Sequence, residues 1–150
     1  MLDITYEYID YKNTLFNKVI DFRYDILFKP YGRIQKYTYD EYDKFSLHLI
    51  GRINDNIISY SRLSCIDCNG EIGKISNVAV STQYSNMGIG LYMLNKHIET
   101  AKERNYRYIY LHARIDTVEF YKKAGFEPEG PVFISDKSGL FLQKMILSFN

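Results

Sequence analysis

Apolar and polar residues alternate at the start of the chain and then change to a helical spacing. Ile4 to Ile9 alternates in the way that a half-buried strand does. Four apolar residues then recur at intervals of four, three and four, as on one face of a helix: Leu15, Val19, Phe22 and Ile26. The segment Lys29-Pro-Tyr-Gly32 breaks this pattern. The chain therefore begins with a predicted strand and a predicted helix.

The central part of the chain is typical of antiparallel strands joined by tight turns. Leu47 to Ile50 and Ile57 to Leu63 are predicted strands, and Asn54-Asp-Asn56 lies between them. A second turn signal, Asn69-Gly70, precedes the apolar strand Ile75 to Val80. We therefore expect a meander of antiparallel strands in this region.

Helices and strands alternate in the second half of the chain. One apolar stripe predicts an amphipathic helix: Leu91, Leu94, Ile98 and Ala101. Tyr108 to Ala113 is a predicted strand, and a short helix over 117–124 follows, with Asp116 and Glu119 spaced as a capping pair and Gly125 at its end. Two final strands are joined by a turn at Ser135–Gly139: Val132 to Ile134 and Leu140 to Leu147. The order β-α-β-β-β-α-β-α-β-β predicts an α/β fold with a mixed, largely antiparallel twisted sheet flanked by helices.

A glycine-containing turn connects the strand that ends at Val80 to the amphipathic helix. It reads Gln83-Tyr-Ser-Asn-Met-Gly-Ile-Gly90. A helix entered through Gly88 and Gly90 has unpaired N–H groups at its start and no side chains there to keep a diphosphate away. The spacing is neither G-x-G-x-x-G, because Met93 replaces the third glycine, nor G-x-x-x-x-G-K-[ST]. The expected ligand is therefore a diphosphate group of a kind that neither of these two motifs binds.

A second motif, Phe120-Tyr-Lys-Lys-Ala-Gly-Phe126, follows the strand at Tyr108–Ala113. Together with the Gly88-Ile-Gly90 turn, it resembles the GCN5-related N-acetyltransferase (GNAT) superfamily, whose acetyl-CoA site uses this turn as its pyrophosphate loop. The resemblance covers nearly the whole chain and implies the GNAT fold, with strands that splay apart at the cofactor site. The segments Phe22–Phe28 and Ser135–Gly139 are similar to those of a small bacterial subgroup without a settled acceptor.

The resemblance implies which residues bind acetyl-CoA. The backbone of Val78, Ala79 and Val80 would hydrogen-bond the pantetheine arm, as an added strand does. The pyrophosphate loop would comprise seven consecutive residues: Ser85, Asn86, Met87, Gly88, Ile89, Gly90 and Leu91. The family turn usually has Gln or Arg at Ser85, so this loop depends on its backbone donors. Arg114 stands where many relatives carry an asparagine, and an arginine is able to reach a phosphate.

The resemblance also implies a catalytic tyrosine but leaves the base open. Tyr121 lies where the superfamily often places a tyrosine that protonates the leaving thiolate; otherwise it is a core aromatic residue. Many relatives carry a basic glutamate where Lys74 stands here. His112, Glu71 or a chain of water molecules remain as alternatives for accepting the proton of the amine.

The expected activity is acetyl transfer from acetyl-CoA to a primary amine of a small molecule or peptide, by direct attack in a ternary complex. The acceptor region would lie between Arg23–Asp43 and Phe133–Leu140. Acids there (Asp40, Glu41 and Asp43) favour a polyamine or lysine, whereas Arg23 or Arg33 favours a carboxylate. The alternative is a non-catalytic CoA-binding regulatory or sensor module on the same fold.

Composition narrows the class of protein further. The 150 residues, 46% of them apolar, are expected to form a single domain, 1–150. A net charge of +1 without a long basic cluster argues against nucleic-acid binding. The acidic N-terminus and the lack of a long apolar run argue against secretion and membrane insertion, so we expect a cytoplasmic protein. Cys65 and Cys68 form an isolated pair before a turn, so no metal is expected. A homodimer is compatible with this layout.

Overall fold

The computed structural model describes residues 3–36 and 39–149. The strands are β1 Thr5–Ile9, β2 Leu47–Ile53, β3 Asn56–Cys65, β4 Ile72–Val80, β5 Tyr108–Arg114, β6 Glu127–Pro128, β7 Phe133–Ile134 and β8 Phe141–Ser148. The α-helices are α1 Phe16–Arg23, α2 Ile89–Glu103 and α3 Val118–Lys123. A π-helical turn, Tyr24–Phe28, and a 3₁₀ turn, Lys29–Tyr31, extend α1. Further 3₁₀ turns lie at Asp43–Phe45, Thr82–Tyr84 and Ile115–Thr117.

The strands form one mixed sheet in the order β1-β2-β3-β4-β5-β8-β6, and β7 also pairs with β8. Neighbouring strands are antiparallel except β4 and β5, which run parallel. The chain crosses from β4 to β5 through α2, as a parallel connection requires. The predicted fold class, a mixed and largely antiparallel sheet flanked by helices, is therefore confirmed.

The parallel pair β4 and β5 separates after a short ladder. The two strands pair only over Ile72–Lys74 and Tyr108–Tyr110. Beyond that point β4 contains a bulge, because the register with β3 shifts between Tyr60 and Arg62. Asn77 takes up the extra residue with a φ of 57°, in the left-handed region. The bulge directs the remainder of β4 away from β5, and the predicted splayed strands are present.

The helices cover opposite faces of the sheet. On one face, α1 packs through Val19 and Ile20 against Ile50 and Tyr60. On the other face, α2 and α3 cover a core of buried residues from the central strands: Leu63, Ile75, Ile109, Leu111 and Ala113. Because side chains alternate along a strand, the two faces present different residues at the opening between β4 and β5.

A buried ionic network fixes the segment before β2 to the α1 side of the sheet. Arg23 and Asp43 are 1% and 0% exposed and form a bidentate pair, with N···O distances of 2.9 and 2.8 Å. Arg62 of β3 also donates to Asp43 (2.9 Å) and to both carboxylate oxygens of Asp40 (2.7 and 2.6 Å). A buried pair needs such additional hydrogen bonds to offset the loss of hydration. The network thus holds Asp40 and Asp43 in place beside the central strands.

Two local predictions differ from the structure. Asp116 and Glu119 do not form a capping pair: Thr117 is the N-cap residue of α3 and makes no side-chain capping bond, and Asp116 pairs instead with Arg114 (3.7 Å). The strand β6 was not predicted, because two residues are too few to show alternation. Gly125 does follow α3, with a φ of 101° that suits a C-terminal glycine.

Candidate active site

The N-terminus of α2 opens towards the gap between the splayed strands. The first hydrogen bond of the helix runs from the N–H of Tyr92 to the carbonyl oxygen of Gly88 (3.0 Å). The N–H groups of Ile89, Gly90 and Leu91 therefore lack an acceptor within the helix. Gly88 has a φ of 79°, which favours glycine, and the first turn contains no acidic residue. The arrangement suits an anion because unpaired N–H groups and the helix dipole point to the same place.

Side chains of the preceding turn leave that place clear. The hydroxyl of Ser85 donates to the carbonyl oxygen of Thr82 (3.0 Å), so it stabilises the turn itself. Asn86 has a φ of 60°, and the Met87 side chain is exposed. Beyond the adjoining residues and the backbone of α2, a Cβ atom built on Gly90 meets no atom of the described residues within 4 Å. Open space beside Gly90 is what a bound phosphate would require.

A small cavity connects this helix start to the predicted catalytic tyrosine. It lies between β4, α2 and α3, and its wall includes Val78, Gly90 and Tyr121. Ser61 and His97 line its inner end. Three residues that the sequence assigned to cofactor binding and catalysis thus share one space, although they are far apart in the chain.

Tyr121 is held by aromatic contacts. Its ring lies 5.1 Å from that of Phe120 and 5.9 Å from that of Phe126, both in edge-to-face geometry. Burial raises the pKa of Tyr121 against the opposing effect of the Arg114 charge. The phenol therefore keeps its proton at neutral pH and is able to donate it.

His112 lies on the opposite face of the sheet from Tyr121. Its neighbours Leu111 and Ala113 are buried under α2 and α3, whereas His112 is exposed and contacts the ring of Phe133 at 5.0 Å. Burial and the charges of Lys74 and Lys144 lower its pKa. His112 is thus neutral at pH 7 and is not part of the cavity that contains Tyr121.

Glu71 lies at the closed end of the β4–β5 ladder. It precedes β4 and pairs at the surface with Arg107 (3.3 Å), and the backbone N–H of Arg107 donates to its carbonyl oxygen. The strands separate only after Lys74. This position does not favour Glu71 as the base.

Lys74 lies at the point where the strands part, on the same face as His112. Its Nζ atom is 5.9 Å from the ring centre of Tyr110, the residue that it pairs with on β5. Burial, followed by the charges of Arg62 and Lys137, lowers the pKa of Lys74 against the pull of Asp40. The opening is therefore electropositive on this face.

The charged residues proposed for acceptor selection have different roles from those expected. Arg23 and Asp43 are buried against each other, so neither is accessible to a substrate. Asp40 is bound by Arg62, a residue that the sequence analysis did not single out. Arg33 is exposed, and its guanidinium group lies against Gly139 in the last hairpin. The expectations for Arg23 and Asp43 were wrong because sequence spacing does not reveal which charges pair across strands.

A second buried network also escaped the sequence analysis. His97 forms hydrogen bonds with the hydroxyl of Tyr8 through Nδ1 (2.9 Å) and with the hydroxyl of Ser61 through Nε2 (2.7 Å). Burial lowers the pKa of His97 to about 3, so the ring is neutral. The sequence did contain a signal that His97 is buried, namely its position on the apolar side of α2. These bonds fix the inner wall of the cavity.

Replacing the two cysteines is predicted to have little effect on stability or activity. Cys65 is half-buried and Cys68 exposed, and both are free thiols. Replacing both with serine should leave the melting temperature within a few degrees and acetyl transfer within about twofold, because Cys68 is exposed, Cys65 packs only at the edge of the core, and neither thiol lines the cavity. Metal analysis and differential scanning fluorimetry of the variant test this. Zinc in the wild-type protein, lost together with activity in the variant, would contradict it.

Within residues 3–36 and 39–149, no group of three or more His, Cys, Asp or Glu side chains is arranged to hold a metal ion. In the same part of the chain, none of the helices combines the length and the apolar character that crossing a membrane requires.

Comparison with known proteins adds family information. Residues 16–126 match the family model described as the Acetyltransferase (GNAT) family. An uncharacterized N-acetyltransferase of Methanocaldococcus jannaschii is 28% identical over an alignment 125 residues long, which covers 69% of this chain and 54% of that protein. The chain therefore spans about half the length of this curated relative.

Solved structures show the same fold. ElaA of Escherichia coli superposes with a TM-score of 0.82 at 22% identity, over 96% of this chain and 99% of that chain. A GNAT family acetyltransferase from Elizabethkingia anophelis, solved with acetyl-CoA bound, superposes with a TM-score of 0.70 at 20% identity, over 97% and 98% of the two chains. At such identities the likeness concerns the fold alone.

Proposed function

Because the chain belongs to the GNAT acetyltransferase family, we propose that it transfers the acetyl group of acetyl-CoA to a primary amine of a small molecule or peptide. The reaction is a direct attack of the amine on the thioester in a ternary complex. The observation that carries this proposal is the shared cavity, which joins the open N-terminus of α2 at Gly90 to the protonated phenol of Tyr121.

Acetyl-CoA fits the residues around this cavity. The pyrophosphate would accept hydrogen bonds from the N–H groups of Asn86–Leu91, where the open space at Gly90 admits it. Arg114, exposed at the end of β5, adds a positive charge nearby. The backbone of Val78–Val80 lies on the edge of β4 that, in the described part of the chain, pairs with β5 only as far as Lys74, and an extended pantetheine arm matches such an edge. Acetyl-CoA supplies an activated acetyl group as a thioester.

The chain's own residues then handle charge and protons. The backbone N–H near Val80 hydrogen-bonds the carbonyl oxygen that gains negative charge during the attack. Tyr121 gives its proton to the sulfur as the C–S bond breaks and the C–N bond forms. An alkylamine of pKa ~10.4 is neutral in only about one part in 2,500 at pH 7, so its proton must be removed first. His112, neutral and on the acceptor face, or water leading to solvent accepts it.

A non-catalytic CoA-binding module is the second candidate. It is favoured by Ser85, whose hydroxyl is engaged within the turn, and by Lys74 at the position where many relatives have a glutamate. Such a module would bind acetyl-CoA without releasing CoA in response to any amine. Turnover that depends on an amine separates the two candidates.

We expect acetyl-CoA at 100-fold over its Kd to stabilise the protein by about 2.7 kcal/mol, seen as a higher melting temperature. The protein is then incubated with acetyl-CoA and each member of a panel of primary amines. Release of free thiol should identify at least one acceptor. Desulfo-CoA without the acetyl group is the control for binding alone. Stabilisation without amine-dependent thiol release across the panel would favour the binding module, and no stabilisation would contradict both candidates.

A further inference from the structure

We propose that the acceptor amine also carries a carboxylate, and that Lys74 and Lys137 bind it on the face of the sheet opposite α2 and α3. This inference rests on the proposed acetyl transfer and names the class of its substrate: amino acids or molecules with an equivalent amine and acid. The two lysines belong to β4 and to the turn between β7 and β8.

The two lysines border the same opening. Lys74 is the last residue of β4 that pairs with β5, so its side chain lies where the strands part. Lys137 projects from the hairpin turn, with Nζ 5.7 Å from the ring centre of Phe28. The charge of Lys137 is close enough to lower the pKa of Lys74. The hairpin that carries Lys137 lies on the face of Lys74, because the ring of Phe133 in β7 is 5.0 Å from that of His112.

The arginines of this face are already neutralised by carboxylates. Arg23 is paired with Asp43, and Arg62 is paired with Asp40 and Asp43. Two cations thus balance two anions within one network. Asp40 and Asp43 would have to give up their arginine partners to bind a polyamine. The other charged residues at this opening therefore determine whether a polyamine or a carboxylate is preferred.

The lysines at this opening differ in their partners. Lys144 is paired with Glu129 at 3.0 Å. Within residues 3–36 and 39–149, no carboxylate lies within ion-pair distance of Lys74 or Lys137. Lys74 is moreover half-buried, so part of its hydration is lost, and the acid whose charge acts on it, Asp40, is already paired with Arg62. A bound carboxylate would supply the missing charge.

The anionic part of acetyl-CoA does not account for this surplus. In the proposed binding mode its phosphates lie at the N-terminus of α2, on the other face of the sheet. A cationic acceptor would be repelled by Lys74 and Lys137, whereas an acceptor with a carboxylate would be oriented by them. The same positive field lowers the pKa of a bound ammonium group, which assists its deprotonation.

The test compares three series with shared carbon skeletons: α-amino acids, their carboxamides, and the amines that remain when the carboxyl group is removed. We expect the best acid to exceed its carboxamide at least tenfold in kcat/KM. A carboxamide amine has a pKa near ~8, as a peptide N-terminus does, so easier deprotonation of the acid's amine does not explain that preference. Lys74→Gln should lower the ratio of the kcat/KM values of the acid and its carboxamide about tenfold or more.

Two further variants complete the test. Lys137→Gln, on an exposed turn, should also reduce the preference and does not threaten folding. Lys18→Gln is the control: it removes the same charge from α1, where Nζ bonds the carbonyl oxygen of Asp55, and should change nothing. If amines without a carboxylate are the better substrates, or if both site variants keep the preference, the inference is overturned while acetyl transfer stands. If no amine is acetylated, both proposals fail.

Discussion

Gly90→Glu is expected to abolish the rise in melting temperature that acetyl-CoA causes, with Kd increased by about 100-fold or more. The new side chain would enter the open space beside Gly90 and bring a negative charge to the place of the pyrophosphate. A 100-fold loss corresponds to about 2.8 kcal/mol, the order of one or two charge-assisted hydrogen bonds. Calorimetric titration of the variant with acetyl-CoA measures it.

The structure makes this a clean experiment because the fold should tolerate the change. Apart from the adjoining residues and the backbone of α2 itself, no atom of the described residues lies within 4 Å of a Cβ atom at Gly90, and replacing a helical glycine, especially with an acidic residue in the first turn, is usually stabilising. The ligand-free variant should therefore melt at or above the wild-type temperature. Asn95→Glu, further along α2 on an exposed position, is the matched control for charge. Wild-type affinity in a folded Gly90→Glu protein would exclude the loop as the phosphate site.

Tyr121→Phe is expected to lower kcat about 10²-fold or more and to leave the affinity for acetyl-CoA nearly unchanged. The substitution removes the proton donor and keeps the ring that packs against Phe120 and Phe126. General acids contribute ~10²–10⁴-fold, which sets the size of the effect. Turnover with the best amine of the panel, together with a binding titration, separates the loss of chemistry from the loss of binding.

The defect should also depend on the leaving group. A thioester of a more acidic thiol needs less protonation, so the ratio of wild-type to variant rates should shrink with such a donor. Tyr92→Phe, exposed on α2, is the matched control and should keep wild-type turnover. Equal rates for wild type and Tyr121→Phe, with chemistry shown to be rate-limiting, would return Tyr121 to the role of a core aromatic residue.

The sequence predicted the parts of the fold that depend on local patterns. The stripe on α2, the glycines at its start and the turn at Asn69-Gly70 were all visible, because spacing and turn residues act over a few positions. The family resemblance supplied the splayed strands. What a single strand did not reveal was the bulge at Asn77, since a left-handed residue there becomes evident only from the register with β3.

The pairing of charged residues could not be predicted from the sequence for a related reason. Arg23, Asp43 and Arg62 come from a helix, a turn and a strand, and only the folded sheet brings them together. The same holds for Lys74 and Lys137, because only the assembled surface shows that neither forms an ion pair with a carboxylate of the described residues. The sequence could propose both signs of charge for acceptor selection, but the balance between them required the three-dimensional arrangement.

The short ladder between β4 and β5 has a mechanical consequence. It divides the sheet into two half-sheets, β1–β4 and β5–β8, that are hinged along Ile72–Lys74 and Tyr108–Tyr110. Gly73 in this hinge admits no side chain, because a Cβ atom there would lie 2.7 Å from the ring of Tyr106. Tyr121 packs with the second half-sheet, whereas the turn that we propose to bind phosphate follows directly from the first. A ligand lying along β4 beneath Tyr121 would therefore contact both half-sheets. It would hold them in a fixed relative position while the reacting groups are aligned.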